Sequence, residues 1–298
     1  MAQPSYLKMD PVRDHETIVK WMVVDTWAFD LVRSIELALL KTFSIPSIAQ
    51  ILVDSREFLD RTQKRYDDTD LLLSLFIERG YTSIEGREAI RRINRMHAVH
   101  PITNDQMLYV LATFVIDPII WIAEFGWRPL KPVEEQALFH FWIAVGKLMG
   151  IQELFASLDE MRAYHTRYES ERMVYSDNNY ALYKSVVPTV AKNLPFPLSL
   201  TAAKILPAIM SPRMCRAFAI TPAGKLTRFL VRCALQARGH LEQLLPRRPH
   251  WRLEMKRRTY PSGFTIKELG VGGHPRMTGC PVRHLNTKPQ DVTTDVSA

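Results

Sequence analysis

Residues 84–125, IEGREAIRRINRMHAVHPITNDQMLYVLATFVIDPIIWIAEF, decide the fold class. In the first half Ile90, Ile93, His97 and His100 fall at i, i+3, i+7 and i+10, one stripe of an α-helix. Thr82-Ser83-Ile84-Glu85 ahead of them is a capping-box pattern and Pro101 closes the run, which predicts a helix ending near His100. The second half, from Asn104 to Phe125, is strongly apolar, and its Asp117-Pro118 step predicts two helical pieces joined by a kink.

The same periodicity extends outward. Trp21 to Thr42 reads as a helix with Val24, Trp27, Leu31 and Ile35 on its apolar face, interrupted at Ile45-Pro46. Further helices are expected from Pro46, from Asp60 to Arg79 with Gly80 as a left-handed cap, from Glu134 to Met149 ending at Gly150, and from Leu158 to Tyr175. Strict alternation is almost absent. The fold class is therefore all-α, a globin-like or bundle-like helical domain, read as a single unit over residues 1–250. Residues 251–298 read as a basic C-terminal extension, with a loose tail from about Gly270.

Composition excludes several functions. With 47% hydrophobic and 23% charged residues in 298, the chain can bury a core and lacks the signature of disorder. Cys215, Cys233 and Cys280 are widely separated with no CxxC, so neither a disulfide framework nor a zinc finger is written. The longest stretch without Asp, Glu, Lys or Arg is Thr42 to Val53, well short of the roughly twenty residues of a spanning helix. No transmembrane span and no secretory signal are expected, which points to a cytoplasmic or peripherally membrane-associated protein. There is no Gly-x-Ser-x-Gly elbow, no phosphate-binding loop, and neither His-Glu-x-x-His nor Glu-x-x-His.

The net charge of +8 is unevenly placed. Residues 191–298 hold 18 Lys and Arg against 5 Asp and Glu, whereas residues 1–190 hold 21 against 26. The basic third carries no recognisable nucleic-acid signature, so no nucleic acid is expected. Basic residues alternating with apolar ones over 191–260 suit an anionic membrane surface, and a plain solvated basic face is the alternative.

Two groupings offer chemistry. His97 lies on the stripe that should be buried, and a buried imidazole needs a hydrogen-bond partner or a metal. On pattern alone a hydrogen-bonded core histidine is the commoner use. In KRYDDT, Lys64 to Thr69, Arg65 and Thr69 are four apart on one helix face. They could orient an oxygen-bearing ligand, although a solvated charged face paired to Asp67 and Asp68 is the plainer reading.

Taken in order, KRYDDT, AIRRINRMHAVHPITNDQMLYVLATFVIDPIIWIAEFGWRPL and FHFWIAVGKLMGI resemble the MpaB and rubber-oxygenase (latex-clearing protein) family. The resemblance covers roughly residues 27–193 and is closer to the MpaB branch. That family includes the oxygenase that shortens a farnesyl chain in mycophenolic acid biosynthesis and proteins that cleave polyisoprene. It implies a helical domain enclosing a haem pocket, with haem b on one proximal histidine and dioxygen as co-substrate on the open side. His97 matches the iron ligand, and Arg65 and Thr69 match the pair on the distal face. Rubber oxygenases carry a lysine where Asp68 stands, so lysine capping of the iron is not expected. Glu57 is the nearest candidate for their catalytic glutamate. Arg92, Arg95 and Arg128 are propionate partners chosen by charge, and Phe114, Trp121, Phe139 and Trp142 are candidates to line an apolar substrate's path. The MpaB branch begins with a membrane-anchoring helix, for which the opening MAQPSYLKMDPVRDHE shows no apolar run. The expected function is a haem-dependent oxygenase that cleaves or oxidises an apolar, isoprenoid or terpenoid compound. The alternative is a non-enzymatic haem- or lipid-binding protein docked on membrane through its basic last third.

Overall fold

The computed structural model describes residues 4–192, 205–246 and 249–270, and no strand occurs among them. The helices are α1 (His15–Trp21), α2 (Ala28–Thr42), α3 (Pro46–Ser55), α4 (Glu57–Asp60), α5 (Thr62–Glu78), α6 (Ile84–His97), α7 (Asn104–Phe125), α8 (Pro132–Leu148), α9 (Leu158–Arg172), α10 (Asp177–Lys192), α11 (Pro212–Ala217) and α12 (Lys225–Leu244). The expected tail beyond Gly270 lies outside the described residues, as does the apolar, proline-punctuated stretch 193–204.

α7 is the axis of the fold. Thr103 and Gln106 cap it reciprocally, with Gln106 N–H donating to Thr103 Oγ1 at 3.2 Å and Thr103 N–H to Gln106 Oε1 at 2.9 Å. Such a cap contributes roughly 1 kcal/mol. The two pieces predicted at Asp117-Pro118 are one continuous helix, because Leu111 to Ile119 is buried throughout and tertiary packing outweighs the single backbone bond that Pro118 removes. Among the described residues α7 alone is long and apolar enough to cross a membrane, yet 78% of that window is buried inside the protein, as in a core helix. α2 runs along it, α8 and α9 flank it, and α1 packs on α8.

The expected helix over Trp21 to Thr42 is broken. A π-turn at Met22–Thr26 and a non-helical Trp27 (φ −126°) redirect the chain between α1 and α2. The break lets Val24 and Trp27 both become fully buried while the Trp27 indole donates to Glu134 at 2.9 Å. Pro46 opens α3, and Gly80 (φ +92°) ends the α5 region in the left-handed conformation that glycine adopts without strain. The cap of α6 is shifted by one residue from the sequence pattern: Ser83 Oγ accepts from Gly86 N–H at 2.9 Å, while Thr82 bonds Glu16. α6 then ends at His97 rather than His100.

After α12 the chain returns across α5 and α6. Arg252 and Arg257 both clasp Asp70, at 2.6 and 2.5 Å, Thr259 N–H donates to Asp67, and Tyr260 bonds Asp68. Residues 251–269 are thus folded onto the helical body, up to Leu269, which is fully buried.

Candidate active site

α2, α3, α5, α7, α10 and α12 border a partly open cavity of about 630 Å³, within the size range of small-molecule and cofactor sites. Its walls are almost entirely apolar, with Phe43, Leu52, Phe58, Met107, Val110 and Leu206 among them. Against this background the few polar groups are informative. α5 projects Arg65 and Thr69 from successive turns of one face, and α6 delivers His97 from its last residue.

Arg65 Nη1 donates to Thr69 Oγ1 at 2.7 Å, and the Thr69 hydroxyl donates to the Arg65 carbonyl at 2.8 Å. The Phe58 ring lies 5.4 Å from the guanidinium. Burial lowers the Arg65 pKa, only partly offset by Asp68 and Glu57. The solvated charged face is therefore not what forms. Asp67 and Asp68 turn the other way, into contacts with Thr259, Lys64 and Tyr260, and Asp68 does not reach the cavity.

His97 lines the same cavity, with its Nδ1 sealed from water and without a hydrogen-bond partner. A hydrogen-bonded core histidine would not look like this. Burial above all, then the charge of Arg65 and the proximity of His100, pushes its pKa down to about 4, so the ring is neutral near pH 7. A neutral imidazole in a dry cavity is the form that ligates a metal. His100 is half-buried and does not line the cavity.

The cations expected near the site are elsewhere. Arg92 donates to the Leu269 and Lys267 carbonyls, fastening the C-terminal segment. Arg95 is exposed. Arg128 is paired to Glu134 at 2.6 Å, with its guanidinium 4.8 Å from both the Trp27 and Trp127 rings. Arg33, Arg238 and Arg252 line the cavity instead, each held by an acid: Glu36 at 2.7 Å, Asp30 at 2.8 Å and Asp70 at 2.6 Å. Glu57 is paired to Arg61 at 2.5 Å and does not line the cavity, whereas Glu36 does. Burial raises the Glu36 carboxyl, which also accepts from Tyr66. The sequence signal for Arg33 and Glu36 was two charges on an otherwise apolar α2 face. Of the aromatic candidates only Trp121 reaches the cavity; Phe114 and Trp142 stack on each other at 4.5 Å in the core, and Phe139 is buried there too.

A second polar cluster joins α2, α7 and α9. Asp117, His165 and Glu169 bring one ligand atom each to within 4.8 Å of one another, a spacing that could hold a metal ion. Lys41 Nζ already sits there, 2.5 Å from Asp117 and 2.9 Å from Glu169, and it supplies the positive charge such a cluster needs. His165 Nε2 makes close ionic contacts, 3.1 Å from Glu169 and 3.3 Å from Asp117, without a well-aligned hydrogen bond.

Comparison with known proteins gives the family. Residues 21–259 match the sequence profile described as ER-bound oxygenase mpaB/B′/rubber oxygenase, catalytic domain. The chain is 29% identical to "ER-bound oxygenase mpaB" of Penicillium roqueforti (strain FM164) over 185 residues, covering 56% of this chain and 62% of that protein. It is 28% identical to "ER-bound oxygenase mpaB′" and 29% identical to "ER-bound oxygenase mpaB" of Penicillium brevicompactum, covering 64% and 59% of this chain and 50% of each relative. The chain thus spans about half to three-fifths of the length of these relatives.

Proposed function

The chain belongs to the mpaB/B′ and rubber oxygenase catalytic-domain family, and on that premise we propose that it is a haem b-dependent oxygenase acting on an apolar, isoprenoid or terpenoid compound. The observation that carries the reading is His97: a neutral imidazole with no hydrogen-bond partner for its sealed Nδ1, on the wall of the apolar cavity that Arg65 and Thr69 also enter, which leaves Nε2 as the nitrogen to hold the iron. These residues fit the group. His97 would hold the iron, the cavity has room for a cofactor in a dry setting, and propionate pairing passes to Arg33, Arg238 and Arg252 in place of Arg92, Arg95 and Arg128. Bound there, haem b would supply dioxygen binding and activation.

The protein's own contribution is positional and electrostatic. Among the described residues the Arg65 guanidinium donates to Thr69 alone, so its remaining N–H groups are free to hold an oxygen-bearing ligand in the cavity. Its charge is undiluted by water there, which strengthens that contact. The apolar walls exclude water and accept a hydrocarbon chain. In this reading an alkene of the substrate is cleaved to two carbonyl groups, one dioxygen supplying both oxygens.

The test is the absorption spectrum of the protein from haem-replete expression. A Soret band that is lost or displaced in His97→Ala is expected, and a colourless protein or an unchanged band refutes the assignment. Product analysis with a prenylated phenol and oxygen separates an oxygenase from a haem or lipid carrier, which would leave the alkene intact. The relatives' names carry ER attachment, and membrane association is part of the same reading for this chain.

A further inference from the structure

α12 is oriented against the usual rule for an amphipathic helix. Leu226, Leu230, Cys233, Ala237, Leu241 and Leu244 follow one another by three or four residues and so form one face. That face points outward: Leu226 is 71% exposed, Leu230 57%, Leu241 62% and Leu244 75%. Phe229 and Leu245 flank it and are exposed as well. A globular protein normally turns such a stripe toward its core, and apolar surface of this extent marks an interaction site.

The helix is not loosely attached. On its other face Val231 and Leu235 line the cavity, Arg238 holds Asp30 at 2.8 Å, and Gln236 donates to the Glu124 carbonyl at 3.0 Å. Gly239 packs so closely on Trp127 that an added Cβ would lie 3.2 Å from it. A firmly docked helix therefore presents an apolar strip about 30 Å long, at about 1.5 Å per residue over its twenty residues. One of its edges carries the exposed cations Lys225 and Arg232, and its one acid, Glu242, is taken by Arg238 at 2.6 Å. Over residues 191–260 there are 14 Lys and Arg against 2 Asp and Glu.

We propose that the outward face of α12 docks this protein on an anionic lipid bilayer, lying in the headgroup plane. An apolar strip bordered by cations is the pattern that inserts shallowly into a negatively charged membrane surface. A protein partner would call for acidic knobs and shape; a Leu-rich strip with cations along one edge calls for acyl chains beneath phosphates. Docking also places the cavity beside the bilayer, since α12 is one of its walls, and Phe29 and Arg238 line the cavity while remaining partly open to solvent next to that helix. An apolar compound would then pass between bilayer and cavity with little exposure to water.

The test is co-sedimentation of the full chain with phosphatidylcholine vesicles, with and without phosphatidylserine. Binding to the phosphatidylserine vesicles that weakens as salt is raised is expected. Lys225→Gln with Arg232→Gln should weaken it about twenty-five-fold, roughly fivefold per cation. Leu230→Glu with Leu241→Glu should weaken it by about tenfold or more at unchanged melting temperature. A Cys280→Ser protein labelled at Cys233 with an environment-sensitive dye should shift to the blue on the same vesicles. The proposal is overturned by absence of vesicle binding, by equal binding to neutral vesicles, or by double variants that bind like the parent. It is also overturned if the Leu face instead holds a dimer that the Leu→Glu variant dissociates, or if Cys233 reacts with a water-soluble maleimide only after residues 271–298 are removed. These readouts do not depend on haem or turnover, so they stand apart from the oxygenase reading.

Discussion

Replacing Lys41 by Met tests whether the buried cluster on α7 is an ion-pair network or a metal site. The substitution keeps the side chain's length but removes the ammonium that contacts Asp117 and Glu169 at 2.5 and 2.9 Å, in a setting where Asp117 is only 6% exposed. Removing one partner of a buried pair leaves an uncompensated charge and costs about 3–5 kcal/mol. At roughly 2–4 °C per kcal/mol for large domains, the melting temperature should fall by about 6–20 °C. Thermal unfolding at pH 7, followed by circular dichroism, reads this directly. The variant also opens the space among Asp117, His165 and Glu169, whose ligand atoms lie within 4.8 Å of one another. Zinc should then bind and restore stability, by about 2.7 kcal/mol at a hundred times its dissociation constant. The reasoning fails if Lys41→Met costs less than about 1 kcal/mol, since buried pairs do not behave so. It fails equally if the parent protein already binds one zinc per chain that Lys41→Met does not tighten.

The same cluster should shape the pH dependence of stability. Burial raises the Glu169 carboxyl, but contact with His165 and the charge of Lys41 outweigh it and hold it at about 2. Its contribution is therefore full above its ordinary value of about 4.3 and should be lost as pH falls from there toward 2, a limb that urea titrations would show shrinking in Lys41→Met. His165 is displaced in the other direction: burial lowers it, but Asp117 and Glu169 prevail and raise it, so its contribution should fade as pH climbs through that raised value. Gly86→Ala should destabilise by about 2–4 kcal/mol in urea unfolding, because the new Cβ would lie 2.0 Å from the Gly80 carbonyl oxygen and force the α5–α6 turn apart; a cost under about 1 kcal/mol would mean that α6, and with it His97, is seated differently. Thr69→Val removes the acceptor of Arg65 while keeping the side chain's shape; for the proposed haem-dependent oxygenase, turnover per bound haem should then fall about tenfold or more at unchanged haem loading, and equal turnover would remove the pair from the proposed reaction.

The all-α class, most helix starts and the pairing of Arg65 with Thr69 were legible in the sequence, because each depends on spacing within a few residues. Period, capping residues and the left-handed glycine at Gly80 act locally, and local rules survive into the fold. His97 was placed on the correct stripe for the same reason. Whether it was a bonded core histidine could not be read there, since the answer lies in what surrounds Nδ1 across several helices.

Other features were decided only in three dimensions. Arg92, Arg95 and Arg128 were candidates by charge alone, two of them within five residues of His97, yet none reaches the cavity, while Arg33, Arg238 and Arg252 arrive from α2, α12 and the returning C-terminal segment. Long-range convergence leaves no short-range signature. Pro118 illustrates the same point from the opposite side: its local rule predicts two pieces joined by a kink, and close packing around residues 111–119 keeps the helix uninterrupted. The outward turn of the α12 leucines is the clearest case. Sequence specifies that α12 has an apolar face, but which way that face points is settled by Asp30, Trp127 and the cavity beneath it, all contributed by distant parts of the chain.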